Sequence, residues 1–209
     1  MNFGAVVVLA GLTGLLSFSL LAAALGSEHW YLVEVRGENG TRAEELGSHS
    51  GLWRTCEGKN ACFPLNNPFD ADTSNFSDPI RHLTTLHKVI VILLPLSLVL
   101  LVFGGICGLV SSLARSCPLL LGSGSYILLC SFLTLAGLSI YINYSRLALE
   151  EMVDMVGEER MASVHVAFGW SMGVAWLSFI LEVITGFLLL FGARLTKLHH
   201  QSVPAISLT

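Results

Sequence analysis

Ser48-His49-Ser50-Gly51-Leu52-Trp53-Arg54-Thr55-Cys56, followed six residues later by Cys62, is the most distinctive stretch of this 209-residue chain. It stands in a long polar region, about residues 26–88, which separates two long apolar runs. Cys56 and Cys62 are the only cysteines in the polar regions. An even pair of this kind can close a disulfide in an oxidising compartment. We therefore expect the stretch to form an extracellular hairpin.

The composition of the whole chain is that of an integral membrane protein. Hydrophobic residues make up 53% of it, charged residues 12%, and the mean hydropathy is +0.70. Four apolar runs reach the roughly 20 residues that a helix needs to cross a bilayer. These observations predict one domain over residues 1–209, an all-α membrane protein with a small extracellular β-sheet. The predicted helices are about 3–25, 89–113, 119–144 and 167–195, with polar loops at about 26–88 and 145–166 and a tail at 196–209.

The first apolar run has two interpretations. It ends in Ala22-Ala23-Ala24-Leu25-Gly26-Ser27, which is similar to the cleavage region of a secretory signal. However, no Lys or Arg precedes the run, and the run is longer than the apolar part of most signals. We favour a retained helix.

Basic residues predict the orientation. Arg115 stands in the short link between the second and third runs, and Arg194 and Lys197 stand at the end of the fourth. The positive-inside rule applies to such short segments and disregards long translocated loops. The link and the tail are therefore predicted to be cytoplasmic. Both termini then face the cytoplasm of a multi-pass plasma-membrane protein.

The first loop carries several further signals. Trp30 follows the first run, where aromatic residues are typical of the membrane interface. A short strand is predicted at 32–35, and a hairpin is predicted from strands at 51–56 and 62–65. Two glycosylation sequons, at Asn39 and Asn75, agree with an extracellular loop.

Two residues, one inside an apolar run and one in a turn between two runs, have both a structural and a functional interpretation. Glu182 is the one ionisable residue well inside a run, and such residues usually face the interior of a helix bundle. It is predicted to tie helices together, and an ion or proton site is the alternative. Cys117 lies beside Arg115 at the predicted cytoplasmic turn, where it is either a free thiol or a palmitoylation site. Cys107 and Cys130 are predicted to be small core residues.

The residues after the third run also carry a pattern. Apolar side chains recur at helical spacings between Leu147 and Val156 among acidic residues. This pattern predicts that the third helix continues beyond the membrane as an amphipathic helix.

The sequence contains no pattern typical of an enzyme, a metal site or a nucleic-acid-binding protein. No histidine lies in an apolar run where it could activate a serine, and no P-loop, HExxH or CxxC pair occurs. The loop histidines His29, His49, His82 and His87 are predicted to be surface residues rather than zinc ligands. Basic residues are too sparse for nucleic acid. No catalytic residue, metal or cofactor is expected.

Trp30, Gly51-Leu52-Trp53, Cys56 and Cys62, all in the loop after the first helix, resemble the signature of the claudin and peripheral myelin protein superfamily. The sequence from His49 to Cys56 is similar to that of voltage-gated calcium channel gamma subunits and their glutamate-receptor regulatory relatives. Phe168-Gly169-Trp170-Ser171, with Glu182, resembles the fourth helix of those subunits. The chain as a whole most resembles the branch that contains transmembrane proteins 235 and 114.

This resemblance implies a left-handed bundle of four helices, topped by an antiparallel sheet built from both loops. It also implies a non-enzymatic function through lateral association with a membrane partner, such as an ion channel or receptor. The alternative is a claudin-like protein of cell–cell junctions. The Cys56–Cys62 interval is shorter than claudins usually show, which favours association within one membrane over a paracellular pore. The lipid bilayer and a second copy of the chain are the other expected partners.

Overall fold

The computed structural model describes residues 2–35, 47–57, 61–64, 78–157 and 164–202. These residues form four long helices and five short strands, and each helix is long and apolar enough to cross a membrane. The predicted class, a helical membrane protein with a small sheet, is confirmed. The helices are α1 Phe3–Gly26, α2 Asp78–Leu113, α3 Cys117–Val156 and α4 Trp170–Ser202, and the strands are β1 Tyr31–Val35, β2 Ser48–Ser50, β3 Arg54–Glu57, β4 Ala61–Pro64 and β5 Val164–Phe168.

Helix α2 begins well before the predicted boundary at residue 89. Its first residues, Asp78-Pro79, form a good helix start. An acidic side chain there interacts favourably with the helix dipole. Proline is tolerated in the first turn because its missing N–H would have no partner there. Hydropathy detects only the apolar part of this helix, so the prediction that residues 78–88 belong to the loop is wrong.

Helix α3 continues to Val156, as its amphipathic pattern predicted. Gly157 follows it with a φ of 89°, and its N–H donates to the Val153 carbonyl at 2.8 Å. A left-handed glycine with such a bond is a common helix end. Helix α3 and β5 therefore take up much of the predicted loop at 145–166.

Helix α4 begins at Trp170 rather than at residue 167. Ala167 and Phe168 belong to β5, because their backbones pair with β1 in the register Leu32–Ala167 and Tyr31–Phe168. A continuous apolar run does not distinguish the end of a strand from the start of a helix. At its other end α4 reaches Ser202, inside the predicted tail.

The sheet has the strand order β4-β3-β2-β1-β5, with all neighbours antiparallel. Strand β5 comes from the second loop, so both loops build the sheet. The predicted strand at 32–35 is confirmed and gains Tyr31. The predicted strand at 51–56 is confirmed for residues 54–56, which belong to β3 and pair with β4, whereas residues 51–53 turn the chain between β2 and β3. Its predicted partner corresponds to β4, and Leu65 lies outside the described residues.

The chain divides into two compact units. The helical unit comprises Met1–Leu21, Leu96–Leu135 and Trp176–Thr209, and the sheet unit comprises Ala22–Pro95 and Ala136–Ala175. The helical unit has a core of buried apolar side chains, and the buried side chains of the sheet unit include Trp30 and Leu52. Assignment of residues 1–209 to one domain, and the left-handed sense of the bundle, remain predictions. The core of the helical unit contains Ala10, Leu101, Leu120, Ile127, Leu189 and Ala193.

Candidate functional site

Trp30 joins the sheet to the end of α1 inside the sheet unit. Its side chain is fully buried, and its indole N–H donates to the Ala24 carbonyl at 2.8 Å. The last carbonyls of a helix have no partner within the helix, so this bond satisfies one of them. The indole ring also packs on Tyr141 of α3, with 4.9 Å between ring centres. Trp30 thus connects the start of β1 to two helices.

Trp53 supplies a second bond of the same kind. Its indole N–H donates to the Leu25 carbonyl at 3.0 Å, although about half of the side chain is exposed. Two tryptophans from different parts of the first loop therefore satisfy consecutive carbonyls at the end of α1. The residues that carry the sequence signature have a shared structural function, which is to fix the sheet to this helix.

Gly51 allows the loop to approach the backbone after α1. A Cβ atom at this position would lie 2.7 Å from the Cα of Glu28 and 2.8 Å from the Ser27 carbonyl oxygen. Such contacts with backbone atoms leave room only for glycine. Leu52 follows as a buried side chain. The three residues Gly51-Leu52-Trp53 therefore combine a close approach, a core contact and a helix cap.

Gly169 has an equally strict requirement that the sequence did not reveal. A Cβ atom there would lie 1.9 Å from the His29 carbonyl oxygen. The Gly169 N–H donates to the Trp30 carbonyl at 2.9 Å, and the Ser171 N–H donates to the His29 carbonyl at 3.3 Å. Gly169 thus allows the second loop to bond to the backbone of His29 and Trp30. A glycine between a strand and a helix was the available signal, but it was hidden in an apolar run.

The predicted disulfide between Cys56 and Cys62 is present and joins β3 to β4, where the two residues face each other. A carboxylate oxygen of Glu28 lies 3.4 Å from the Cys56 sulfur, and the other lies 3.6 Å from an Arg54 guanidinium nitrogen. Glu28 and the two sulfurs lie within 4.8 Å of one another. Because disulfide sulfurs carry no thiolate, this group is not a metal site of the oxidised protein.

Loss of the disulfide is expected to reduce stability and surface delivery. Cys56→Ser and Cys62→Ser should each destabilise the sheet by roughly 2 kcal/mol, since the bond closes only a short loop. The double variant should be no worse than either single variant, because both remove the same bond. Surface biotinylation of the three variants checks this. Additive losses would mean that the two cysteines act separately.

The loop histidines occupy different environments. The rings of His29 and His49 stack with 4.6 Å between their centres, beside the site. His82 is exposed on α2. His87 is buried on the same helix, with its ring 5.6 Å from that of Tyr144, so the prediction that it is a surface residue is wrong.

Burial raises the pKa of the Tyr31 phenol in β1 above its ordinary value.

Glu182 is buried in the helical unit. It is 1% exposed, and the Thr134 hydroxyl of α3 lies 3.2 and 3.0 Å from its two carboxyl oxygens. One turn earlier on α4, the Ser178 hydroxyl lies 3.0 Å from that of Ser17 on α1. Hydrogen bonds from this stretch of α4 therefore reach both α3 and α1. The geometry supports a structural function for Glu182, which stays a prediction.

Substitutions of Glu182 are expected to separate a hydrogen-bonding function from proton chemistry. Glu182→Gln keeps an oxygen that can accept from Thr134, so the melting temperature in detergent should change little. Glu182→Ala removes the partner of a buried hydroxyl and should cost about 1–3 kcal/mol. If both variants lower the melting temperature equally, the hydrogen bond from Thr134 is not what Glu182 contributes to stability.

The three other cysteines and the two sequon asparagines have different outcomes. Cys117 is partly buried, and its Sγ donates to the Ala193 carbonyl at 3.4 Å, so its palmitoylation stays a prediction. Cys130 is buried as expected, whereas Cys107 is exposed and is not a core residue. Asn39 and Asn75 lie outside the described residues.

Comparison with known proteins places this architecture in a family. Residues 15–191 match the family model described as PMP-22/EMP/MP20/Claudin tight junction. The chain belongs to this family. The matched range contains every residue of the site, from Trp30 to Gly169, and also Glu182.

Individual relatives agree with the family match. The human voltage-dependent calcium channel gamma-4 subunit is 29% identical over 193 residues, covering 82% of this chain and 56% of that protein. The rat gamma-3 subunit is 29% identical over 188 residues, covering 81% of this chain and 55% of that protein. The chain therefore spans about half the length of these relatives. Its placement in the branch of transmembrane proteins 235 and 114 stays a prediction.

Proposed function

We propose that this protein is a non-enzymatic plasma-membrane protein that associates laterally with a membrane partner, as auxiliary subunits of calcium channels or glutamate receptors do. The observation that carries the proposal is the alignment of most of the chain with calcium channel gamma subunits. The residues that fix the sheet to α1 lie within residues 15–191, which match the family model. In the proposed orientation the sheet is extracellular and both termini are cytoplasmic.

Strand β4 is the best surface for such a partner in the sheet unit. It lies at one edge of the sheet, and its four residues are exposed in the part of the chain that the structure describes. The Phe63 side chain is 58% exposed there. Exposed aromatic side chains are typical anchors of protein interfaces. The disulfide to β3 holds this edge in place.

Co-expression with calcium channel and glutamate receptor subunits tests the proposal. We expect surface density or gating of at least one class to change, as measured by whole-cell current. Phe63→Asp should reduce the effect, whereas Ile80→Asp, at an exposed position of α2, should preserve it. No change in current or surface density with either class would contradict the proposal.

A junction function is the alternative, and the family's description as tight junction proteins favours it. It would require association between cells rather than within one membrane. Enrichment at contacts between transfected cells and a change in transepithelial resistance would support it. A uniform surface distribution with unchanged resistance would exclude it. A second copy of the chain is a candidate partner in either case.

A further inference from the structure

One end of the helical unit is cationic and carries no acidic side chain. Within the ranges of this unit the only acidic residue is Glu182, which is buried against Thr134. The basic side chains of Arg115, Arg194 and Lys197 are all exposed. None of the three has a carboxylate within salt-bridge distance among the residues that the structure describes. Their charge is therefore available to an external anion.

Arg115 and Arg194 lie beside the same contact between helices. Arg115 precedes the start of α3 by two residues, and its guanidinium carbon lies 5.9 Å from the centre of the Phe3 ring. Two residues further on, the Cys117 Sγ donates to the Ala193 carbonyl of α4 at 3.4 Å. Arg194 is the next residue of α4. The two arginines therefore flank the junction between the start of α3 and the last turns of α4.

The third cation extends this surface along α4. Lys197 follows Arg194 by three residues, a spacing at which side chains share one side of a helix. We call Arg115, Arg194 and Lys197 the basic rim. A group of exposed positive charges suits a phosphate group, which accepts hydrogen bonds from several donors at once.

Exposed leucines stand directly beside the basic rim. Leu113 is 86% exposed at the end of α2, Leu119 is 50% exposed at the start of α3, and Leu198 is 63% exposed beside Lys197. A ligand that fits both features has an anionic head and apolar chains.

We propose that the basic rim binds the headgroup of an anionic phospholipid, whose acyl chains cover the neighbouring leucines. The occupant follows from charge complementarity and from the apolar side chains that flank the cations. The inference is independent of the partner proposed above and of the face of the membrane on which the rim lies.

Lipid retention by the purified full-length protein tests this inference. The protein is prepared in nanodiscs of equal phosphatidylserine and phosphatidylcholine, extracted in mild detergent, and examined by native mass spectrometry. The wild type should retain phosphatidylserine preferentially. R115Q/R194Q should lower that retention by roughly ten-fold or more, since each basic residue near a membrane surface contributes about five-fold. R81Q/R146Q, which removes two exposed cations from the sheet unit, should leave it unchanged.

Several outcomes would overturn the inference. Equal retention of the two lipids by the wild type would do so, as would equal losses in the two double variants. Displacement of the lipid by glycerophosphoserine or inorganic phosphate at the same concentration would identify an anion site without a requirement for lipid. Displacement by a polyglutamate peptide would assign the rim to an acidic protein segment. If R115Q/R194Q is not monodisperse, R194Q and K197Q replace it, and full retention in both contradicts the proposal.

Discussion

Gly169→Ala is expected to prevent the sheet unit from reaching its native packing. The added methyl group would lie 1.9 Å from the His29 carbonyl oxygen, so the backbone would have to shift beside the bond from the Gly169 N–H to the Trp30 carbonyl. We expect a loss of about 4 kcal/mol or more, in the range of severe substitutions. Thermal unfolding in detergent and surface biotinylation measure the effect.

Gly173→Ala is the matched control, because it makes the same change four residues later on α4, where nothing lies within 4 Å of the added atom. It should be neutral, or stabilising by up to about 1 kcal/mol, since alanine is the better helix former. If Gly169→Ala behaves like Gly173→Ala, the close contact with His29 does not exist in the native protein.

Trp30→Ala is the second substitution with a large expected effect. It removes a fully buried indole, its packing on Tyr141 and its bond to the Ala24 carbonyl. Truncation of a buried aromatic side chain to alanine costs about 3–5 kcal/mol. Trp30→Phe keeps an aromatic ring but removes the indole donor, so that the Ala24 carbonyl keeps only its bond from the Ser27 N–H at 3.2 Å, and it should cost about 0.5–1.5 kcal/mol. Unfolding temperatures of both variants in detergent give the comparison.

Trp170→Ala provides the control for Trp30, since this indole begins α4 and is 56% exposed. The change should lower stability by less than about 1 kcal/mol. A loss from Trp170→Ala as large as that from Trp30→Ala would show that burial of Trp30 is not what holds the sheet to α1.

Most of the architecture could be predicted because membrane helices leave strong signals. Length and hydropathy located all four helices, and the pattern after Leu147 predicted the extension of α3. The disulfide was predicted from two cysteines in one polar loop. Trp30 and Gly51-Leu52-Trp53 were recognised as a signature, and the structure adds their physical reason, which is the capping of α1 and a close backbone approach.

The predictions are wrong where a helix continues outside its apolar run or where tertiary contacts override local pattern. The polar turns of α2 after Asp78 have no membrane signal, because they lie outside the apolar run. Ala167 and Phe168 look like the start of a helix until β1 is known to pair with them. The requirement for Gly169 depends on His29, which lies far away in sequence, and no local pattern reports such a contact.

Capture of cross-linked partners from a mixed culture tests lateral association most directly. Cells that express the tagged chain carry heavy-isotope amino acids, and neighbouring cells without it carry light ones. The proteins cross-linked to the chain at the surface are purified and their labels read by mass spectrometry. We predict heavy-labelled channel or receptor subunits, which come from the same membrane. Partners that carry mainly the light label would come from apposed cells and would contradict lateral association.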